Sequence, residues 1–131
     1  MKTSDLFAKC LENEGIEYIF GVPGEENADF LMSLHESKKI KFILTRHEQG
    51  AAFMAESYGK LTGKLSCCLS TLGPGATNLL TGVADANMDH SPVLVITGQG
   101  SSDRLHKESH QIMDVCHMFK SVTKWTTSVR N

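Results

Sequence analysis

Apolar and polar positions follow a regular order along this chain of 131 residues. Short runs of consecutive apolar residues alternate with longer segments in which apolar residues recur at helical spacing. Strands are predicted at residues 18–20, 42–44, 66–71 and 93–96, and the last of them is a continuous apolar run, as expected for a strand buried on both faces. Because strands that alternate with helices form parallel sheets with right-handed crossovers, we expect an α/β domain.

The helical segments are bounded by residues that favour helix ends. A first helix follows the polar residues 3–5 and stops at Gly15, and a third helix begins near Glu48 and stops at Gly63. The remaining expected elements are a second helix from residue 25, a fourth from residue 73, a polar loop at 98–108, a short helix over 112–116 and a fifth strand from 122–125.

Composition and charge narrow the class of protein. Apolar residues make up 40% of the chain and charged residues 21%, as in ordinary globular domains. The net charge of -2 gives no electrostatic reason to expect nucleic acid or an anionic membrane as a partner. No apolar run approaches the roughly 20 residues of a membrane span, and residues 1–5 begin no signal peptide. The four cysteines form no CxxC pair, so we expect free thiols in a cytoplasmic protein.

Three predicted turns follow strands and should meet at one edge of the sheet. They span residues 21–24, 46–49 and 73–78, and open α/β sheets bind their ligands at the carboxyl ends of the strands. Glu48 is the only carboxylate in or next to the second and third turns, and Asn78 offers both a donor and an acceptor. These turns are therefore a candidate binding site.

The turn sequences also limit the kind of ligand. Neither GxxxxGK[ST] nor GxGxxG occurs in the chain. An edge of this kind suits a neutral, planar heterocycle better than a triphosphate, because glycine lets the backbone approach a flat ligand closely. The alternative is that the glycines only close tight connections, as they do in many α/β proteins.

Longer motifs give the chain a specific resemblance. They are FGVPG at 20–24, RHEQGAA at 46–52, GKLTGK at 59–64, STLGPGATN at 70–78 and PVLVITGQ at 92–99. With these motifs the chain resembles the N-terminal pyrimidine-binding domain of thiamine-diphosphate-dependent enzymes, and within that family most closely the large subunit of acetolactate synthase. The resemblance implies that residues 1–131 form one domain, a three-layer α/β/α sandwich with a mainly parallel central sheet.

The resemblance also implies a site. In the family, the glutamate that matches Glu48 hydrogen-bonds a nitrogen of the cofactor's aminopyrimidine ring and promotes the tautomer that deprotonates the thiazolium carbon. Glu48 is thus the expected catalytic residue. The other expected cofactor-binding residues, which line the pyrimidine pocket in relatives, are Val22, Pro23, Gly24, Pro74 and Asn78. Gln111 matches a glutamine at the substrate end, although SHQIMD at 109–114 stands where a phenylalanine-glutamine-glutamate run is usual.

Relatives hold the diphosphate and its magnesium ion with a second, C-terminal α/β domain that carries a GDG…N motif, which this chain lacks. The resemblance therefore implies a piece of a longer enzyme, without the last helix and strand of the first domain, that is inactive alone and holds the cofactor weakly. It further implies a small 2-oxo acid such as pyruvate as substrate, and a homodimer or tetramer for the full enzyme. FAD as a further cofactor stays open.

Other interpretations remain beside this one. The chain is alternatively part of another thiamine-diphosphate-dependent 2-oxo acid decarboxylase, or a non-catalytic α/β binding module. His106 and His110 have a spacing that allows a shared zinc ion, but in a polar loop without HExxH we expect solvated side chains. His47, beside Arg46 at a turn, is expected to orient its surroundings rather than act as a base. Asp85 and Asp89 indicate a solvated or interface edge.

Overall fold

Helices and strands alternate along the chain as predicted. The computed structural model describes residues 1–130. The elements are α1 (Thr3–Asn13), β1 (Tyr18–Gly21), α2 (Ala28–Glu36), β2 (Lys41–Leu44), α3 (Glu48–Thr62), β3 (Ser66–Ser70), α4 (Pro74–Met88), β4 (Val93–Thr97) and α5 (Val115–Phe119). Every connection between successive strands from β1 to β4 contains a helix, so the strands can all run in one direction.

The four strands form one parallel sheet in the order β2-β1-β3-β4. β1 lies in the middle, where Ile19 is in register with Phe42 of β2 and with Cys67 of β3. On the other side of β3, Cys68 pairs with Val95 of β4. The predicted α/β class with a parallel sheet is confirmed.

The sheet is covered on both faces, which gives three layers. Alternate residues of a strand point to opposite faces. Cys67, which is fully buried, belongs to the core that α1 and α2 form on one face, together with Leu11 and Leu34. Cys68 belongs to the core that α3 and α4 form on the other face, a core with many alanines. These small side chains let α3 and α4 approach the sheet and each other closely.

Two predictions for the C-terminal part were wrong. No strand begins at 122–125: within residues 1–130 this segment forms turns and irregular structure, and Trp125 is exposed. The hydroxyl of Thr123 donates instead to the carbonyl of Phe119, and such local bonds compete with a strand ladder. The short helix is α5, which begins three residues later than predicted because the Asp114 side chain caps it by accepting from the backbone N–H of His117.

Caps fix the ends of α3 and thereby the place of Glu48. Gly63 ends the helix with φ of 67°, a left-handed conformation that glycine adopts readily. At the start, His47 Nδ1 accepts a hydrogen bond from the backbone N–H of Gln49 at 3.1 Å. Glu48 is therefore the first residue of α3 and follows the end of β2 by a short turn.

None of the helices within residues 1–130 has the length and apolar character needed to cross a membrane.

Candidate functional site

Glu48 lies at the carboxyl edge of the sheet, where the sequence predicted it. Its side chain is largely buried, and the residue is 9% exposed. Glu48 Oε2 accepts a hydrogen bond from Nδ2 of Asn78, which lies in the second turn of α4, at 2.9 Å. The structure thus joins a carboxylate and an amide that come from two different strand–helix connections.

Gly75 packs closely beside this pair. A Cβ atom built on Gly75 would lie 3.3 Å from Glu48 Oε1 and 2.9 Å from Thr71 Cγ2. Pro74 is the first residue of α4, where its fixed φ suits the helix start, and it is exposed. The third turn therefore presents a nearly bare backbone to the carboxylate of Glu48.

The first turn meets the third turn through Thr71. The backbone N–H of Val22 donates to the carbonyl of Leu69 at 3.2 Å, which continues the contact between β1 and β3. Gly24 lies so close to the Thr71 side chain that no Cβ atom fits between them, while Pro23 is exposed. Val22, Pro23 and Gly24 thus come to the same edge as Glu48. Sequence reasoning treated Thr71 only as a strand residue.

The hydroxyl of Thr71 also fixes the start of the segment that follows the first turn. Thr71 Oγ1 donates to Oε2 of Glu26 at 2.7 Å, and the side chain of Asn27 accepts from the backbone N–H of Gly24 at 2.9 Å. These bonds turn residues Glu25–Asn27 into a 3-10 turn. The predicted second helix therefore starts later, at Ala28.

Gln111 reaches the third turn with its backbone. A Cβ atom on Gly73 would lie 2.6 Å from the carbonyl oxygen of Gln111 and 2.8 Å from its Cβ atom. Both residues have a positive φ, 52° for Gly73 and 54° for Gln111. The structure therefore places Gln111 next to the glycine turn, with an exposed side chain.

The histidines raised as alternatives have other surroundings. His47 caps α3, as described above, which agrees with an orienting role. Within residues 1–130, the group of three side chains close enough together to hold a metal ion is Glu56, Asp85 and Asp89, and it contains no histidine. His106 and His110 therefore belong to no such group in the part of the chain that the structure describes.

The acidic cluster holds a cation of the protein itself. Lys60 Nζ lies 2.5 Å from Glu56 Oε1 and 2.5 Å from Asp89 Oδ2. The carboxylate of Asp89, and next that of Glu56, hold the pKa of Lys60 well above its usual value. Sequence reasoning noted Asp85 and Asp89 but missed Glu56, which is 2% exposed. Its i, i+4 spacing to Lys60 is the signal that points to the pair.

Comparisons with known proteins identify the family of this chain. Residues 1–118 match the family described as "Thiamine pyrophosphate enzyme, N-terminal TPP binding domain". A probable acetolactate synthase large subunit of Methanocaldococcus jannaschii is 40% identical over 130 residues, which is 99% of this chain and 22% of the relative. The putative thiamine pyrophosphate-containing protein YdaP of Bacillus subtilis is 42% identical over 94% of this chain and 22% of its own length.

A plant relative extends the comparison. The chloroplastic acetolactate synthase of Arabidopsis thaliana is 38% identical over 94% of this chain and 18% of its own length. The chain thus spans about a fifth of the length of the curated relatives that it matches. The resemblance predicted from the motifs is confirmed: the chain belongs to the thiamine pyrophosphate enzyme family, as an N-terminal TPP-binding domain.

Proposed function

We propose that this chain forms the pyrimidine-binding half of the thiamine diphosphate site in an acetolactate synthase-like enzyme. Such an enzyme decarboxylates pyruvate or another small 2-oxo acid and joins the product to a second 2-oxo acid. The observation that carries the proposal is the hydrogen-bonded pair of Glu48 and Asn78 beside Gly75 at the carboxyl edge of the sheet. The names of the M. jannaschii and plant relatives support the reaction.

The residues present suit an aminopyrimidine ring. A flat heterocycle needs a firmly shaped edge, and Gly24 and Gly75 both pack against the Thr71 side chain too closely for a Cβ atom, which holds the first and third turns together there. Val22, Pro23 and Pro74 stand at the same strand ends and would form the remaining walls. Thiamine diphosphate, when bound, supplies the electron sink for the loss of carbon dioxide from a 2-oxo acid.

Glu48 is the residue that would exchange a proton with the ring. Its Oε2 atom is held by the amide of Asn78, and Oε1 lies on the side of Gly75. Asn78 is neutral, so it orients the carboxylate without supplying a positive charge. A mostly buried carboxylate that is fixed in this way can hydrogen-bond a ring nitrogen and hold or release its proton, which is general acid–base catalysis.

The rest of the site would come from other protein. We propose that the diphosphate and its magnesium ion are held by a second α/β domain, and that the full enzyme is a homodimer or tetramer. All five residues of the edge strand β4 are only half-buried, which leaves room for further protein beside it. The place of Gln111 against Gly73 supports a role near the substrate.

The four free cysteines support a reducing compartment, and we propose the cytoplasm. Disulfides are rare in that compartment, and two of the thiols, Cys67 and Cys68, are buried in the core.

A complementation experiment tests the proposed function. The chain is joined to the diphosphate-binding domain of an acetolactate synthase relative, and pyruvate consumption is measured with thiamine diphosphate and Mg²⁺. We expect turnover, and we expect Glu48→Gln to lower it by about 100-fold or more, because the amide cannot take up a proton. Glu36→Gln, at the exposed end of α2, is the matched control and should keep full turnover.

The outcomes separate the candidate functions. Near-normal turnover in Glu48→Gln contradicts the assigned role of Glu48. A folded assembly that consumes no pyruvate but acts on another 2-oxo acid supports a different decarboxylase of the same family. The YdaP relative, whose name gives no reaction, makes this second test worthwhile.

A further inference from the structure

Three contacts join α3 to α4 at successive levels. At the start of the helices, the Glu48 carboxylate accepts from Asn78. In the middle, Ala52 packs against Gly82. At the far end, Lys60 of α3 bridges to Asp89, the residue that follows the last turn of α4. The helices therefore run side by side with a polar contact at each end and a tight apolar contact between.

The middle contact brings the two helix backbones together. A Cβ atom on Gly82 would lie 2.6 Å from the Cβ atom of Ala52 and 3.1 Å from the backbone nitrogen of Phe53. Ala52 therefore lies directly against the backbone of α4 at Gly82, and no room remains between the helices at this level for even one more methyl group. A force at one end of the pair must then tilt the helices about this point.

At the far end, the ammonium of Lys60 balances the repulsion between carboxylates on the two helices. Carboxylate oxygens of Glu56 on α3 and of Asp85 and Asp89 on α4 all lie within 4.8 Å of one another. Lys60 Nζ contacts the first and the last of them at 2.5 Å. Without this ammonium, like charges on the two helices would repel, and the carboxylate of Glu56 would stay buried without a partner.

We propose that Lys60 is a positioning residue for the Glu48–Asn78 pair, an inference that rests on the proposed function. Ala52 lies four positions after Glu48 and Lys60 lies eight positions after Ala52, which is roughly 6 Å and roughly 12 Å along the helix axis. A displacement at the Lys60 end therefore reaches the Glu48 end at about half its size. Tenths of an ångström matter there, because hydrogen bonds weaken with length and misalignment.

The side-chain amide signal of Asn78 in the ¹H–¹⁵N NMR spectrum of the chain, without cofactor, tests this inference. Glu48→Ala removes the acceptor and defines the shift that corresponds to full loss of the bond. In Lys60→Met we expect the Asn78 signal to move part of the way to that position. Lys60→Arg, which keeps a cation between the carboxylates, should restore the original position.

Lys64→Met is the matched control. Lys64 also forms an ion pair at 2.5 Å, but its partner is Glu17 and not a residue of α4, so the Asn78 signal should stay in place. If Lys60→Met does not fold, Asp89→Asn removes one exposed partner of Lys60 and should move the signal in the same direction by a smaller amount. Only signals of folded protein are compared, so a loss of stability alone does not move them.

The two proposals fail separately. An Asn78 signal that stays in place in both Lys60→Met and Asp89→Asn overturns the positioning role, whatever the turnover. Full turnover of the assembled enzyme with Glu48→Gln overturns the proposed function, whatever the position of the Asn78 signal. In the assembled enzyme, the positioning role predicts a lower kcat for Lys60→Met, restored by Lys60→Arg, with an unchanged KM for the 2-oxo acid.

Discussion

Two glutamates on the same helix, Glu48 and Glu56, are mostly buried and yet have different surroundings. Glu56 is paired with the ammonium of Lys60 one turn farther along α3. Glu48 is paired with the neutral amide of Asn78 and borders the bare backbone at Gly75. The charge of a buried carboxylate that is paired with a cation is already compensated. A carboxylate that is held by a neutral amide keeps its charge and a second oxygen that can bind a ligand. The kind of partner, more than burial itself, marks the functional carboxylate.

The position along the helix explains why Glu48 tolerates a neutral partner. As the first residue of α3, it lies where the helix dipole and the free N–H groups favour negative charge. Glu56 lies two turns farther on, where the backbone N–H groups are already bonded within the helix. Its charge needs a counter-ion there, because an unpaired buried charge is costly.

The largest expected effect on stability follows from this difference. Glu56→Gln should lower the free energy of unfolding by about 2 kcal/mol, because the new amide N–H₂ group is buried and Lys60 loses a charged partner. Glu48→Gln should change it by less than about 1 kcal/mol, since Asn78 can still donate to the remaining carbonyl oxygen and only the interaction with the helix dipole is lost. Urea unfolding of the two variants measures both values.

Equal losses of unfolding free energy in Glu48→Gln and Glu56→Gln would contradict this contrast between the two glutamates. They would mean that the Glu48 carboxylate is as important to the fold as that of Glu56, and that its charge is not kept for a ligand. Glu36→Gln, already used as the activity control, gives the effect of the same substitution at an exposed site and should lie near zero.

Cys68 shows a third way to bury an ionisable group, which is to keep it neutral. Burial raises the pKa of the Cys68 thiol to about 12, and it raises the pKa of Cys67 as well. In the unfolded chain a thiol ionises near pH ~8.5. Above that pH the unfolded state binds fewer protons than the folded state, so stability must fall as the pH rises.

The expected slope is about 1.4 kcal/mol per pH unit for each buried thiol. Cys68→Ala should therefore flatten the decline between pH 9 and 11 by about that amount per unit, because lysine and tyrosine titrations are common to both proteins. Urea unfolding at three pH values measures the slope. An unchanged slope would show that the thiol of Cys68 ionises in the folded protein.

The sequence predicted the parts of this architecture that depend on local patterns. The place of Glu48 follows from an apolar strand, a short turn and a helix start, and the stop at Gly63 follows from the conformational freedom of glycine. The prediction of a fifth strand at 122–125 was wrong because Thr123 forms local hydroxyl bonds, to the Phe119 carbonyl and with the Thr126 hydroxyl, that compete with a strand ladder. The pattern of apolar residues does not reveal such side-chain hydrogen bonds.

Contacts between distant elements were harder to predict. Glu56 is polar, so hydrophobic periodicity assigns it to the surface, although its side chain lies under Lys60 and beside α4. The bridge to Asp89 requires two helices to be placed in space before it becomes visible. The same holds for the contact of Thr71 with Gly24, which exists only because β1 and β3 are neighbours.

The smallest expected effects on stability come from two glycines near Glu48, one with room for a Cβ atom and one without. Gly50 lies in the first turn of α3 and has no atom within 4 Å of the position of a Cβ atom. Gly50→Ala should raise the free energy of unfolding by about 0.5 kcal/mol, because alanine favours the helix. Gly75→Ala should lower it by about 1 kcal/mol, because its Cβ atom would lie 2.9 Å from Thr71 Cγ2. Thermal unfolding of both variants measures these changes. If both substitutions raised the stability, the Thr71 side chain would have to move away from the new Cβ atom at position 75 without loss of stability.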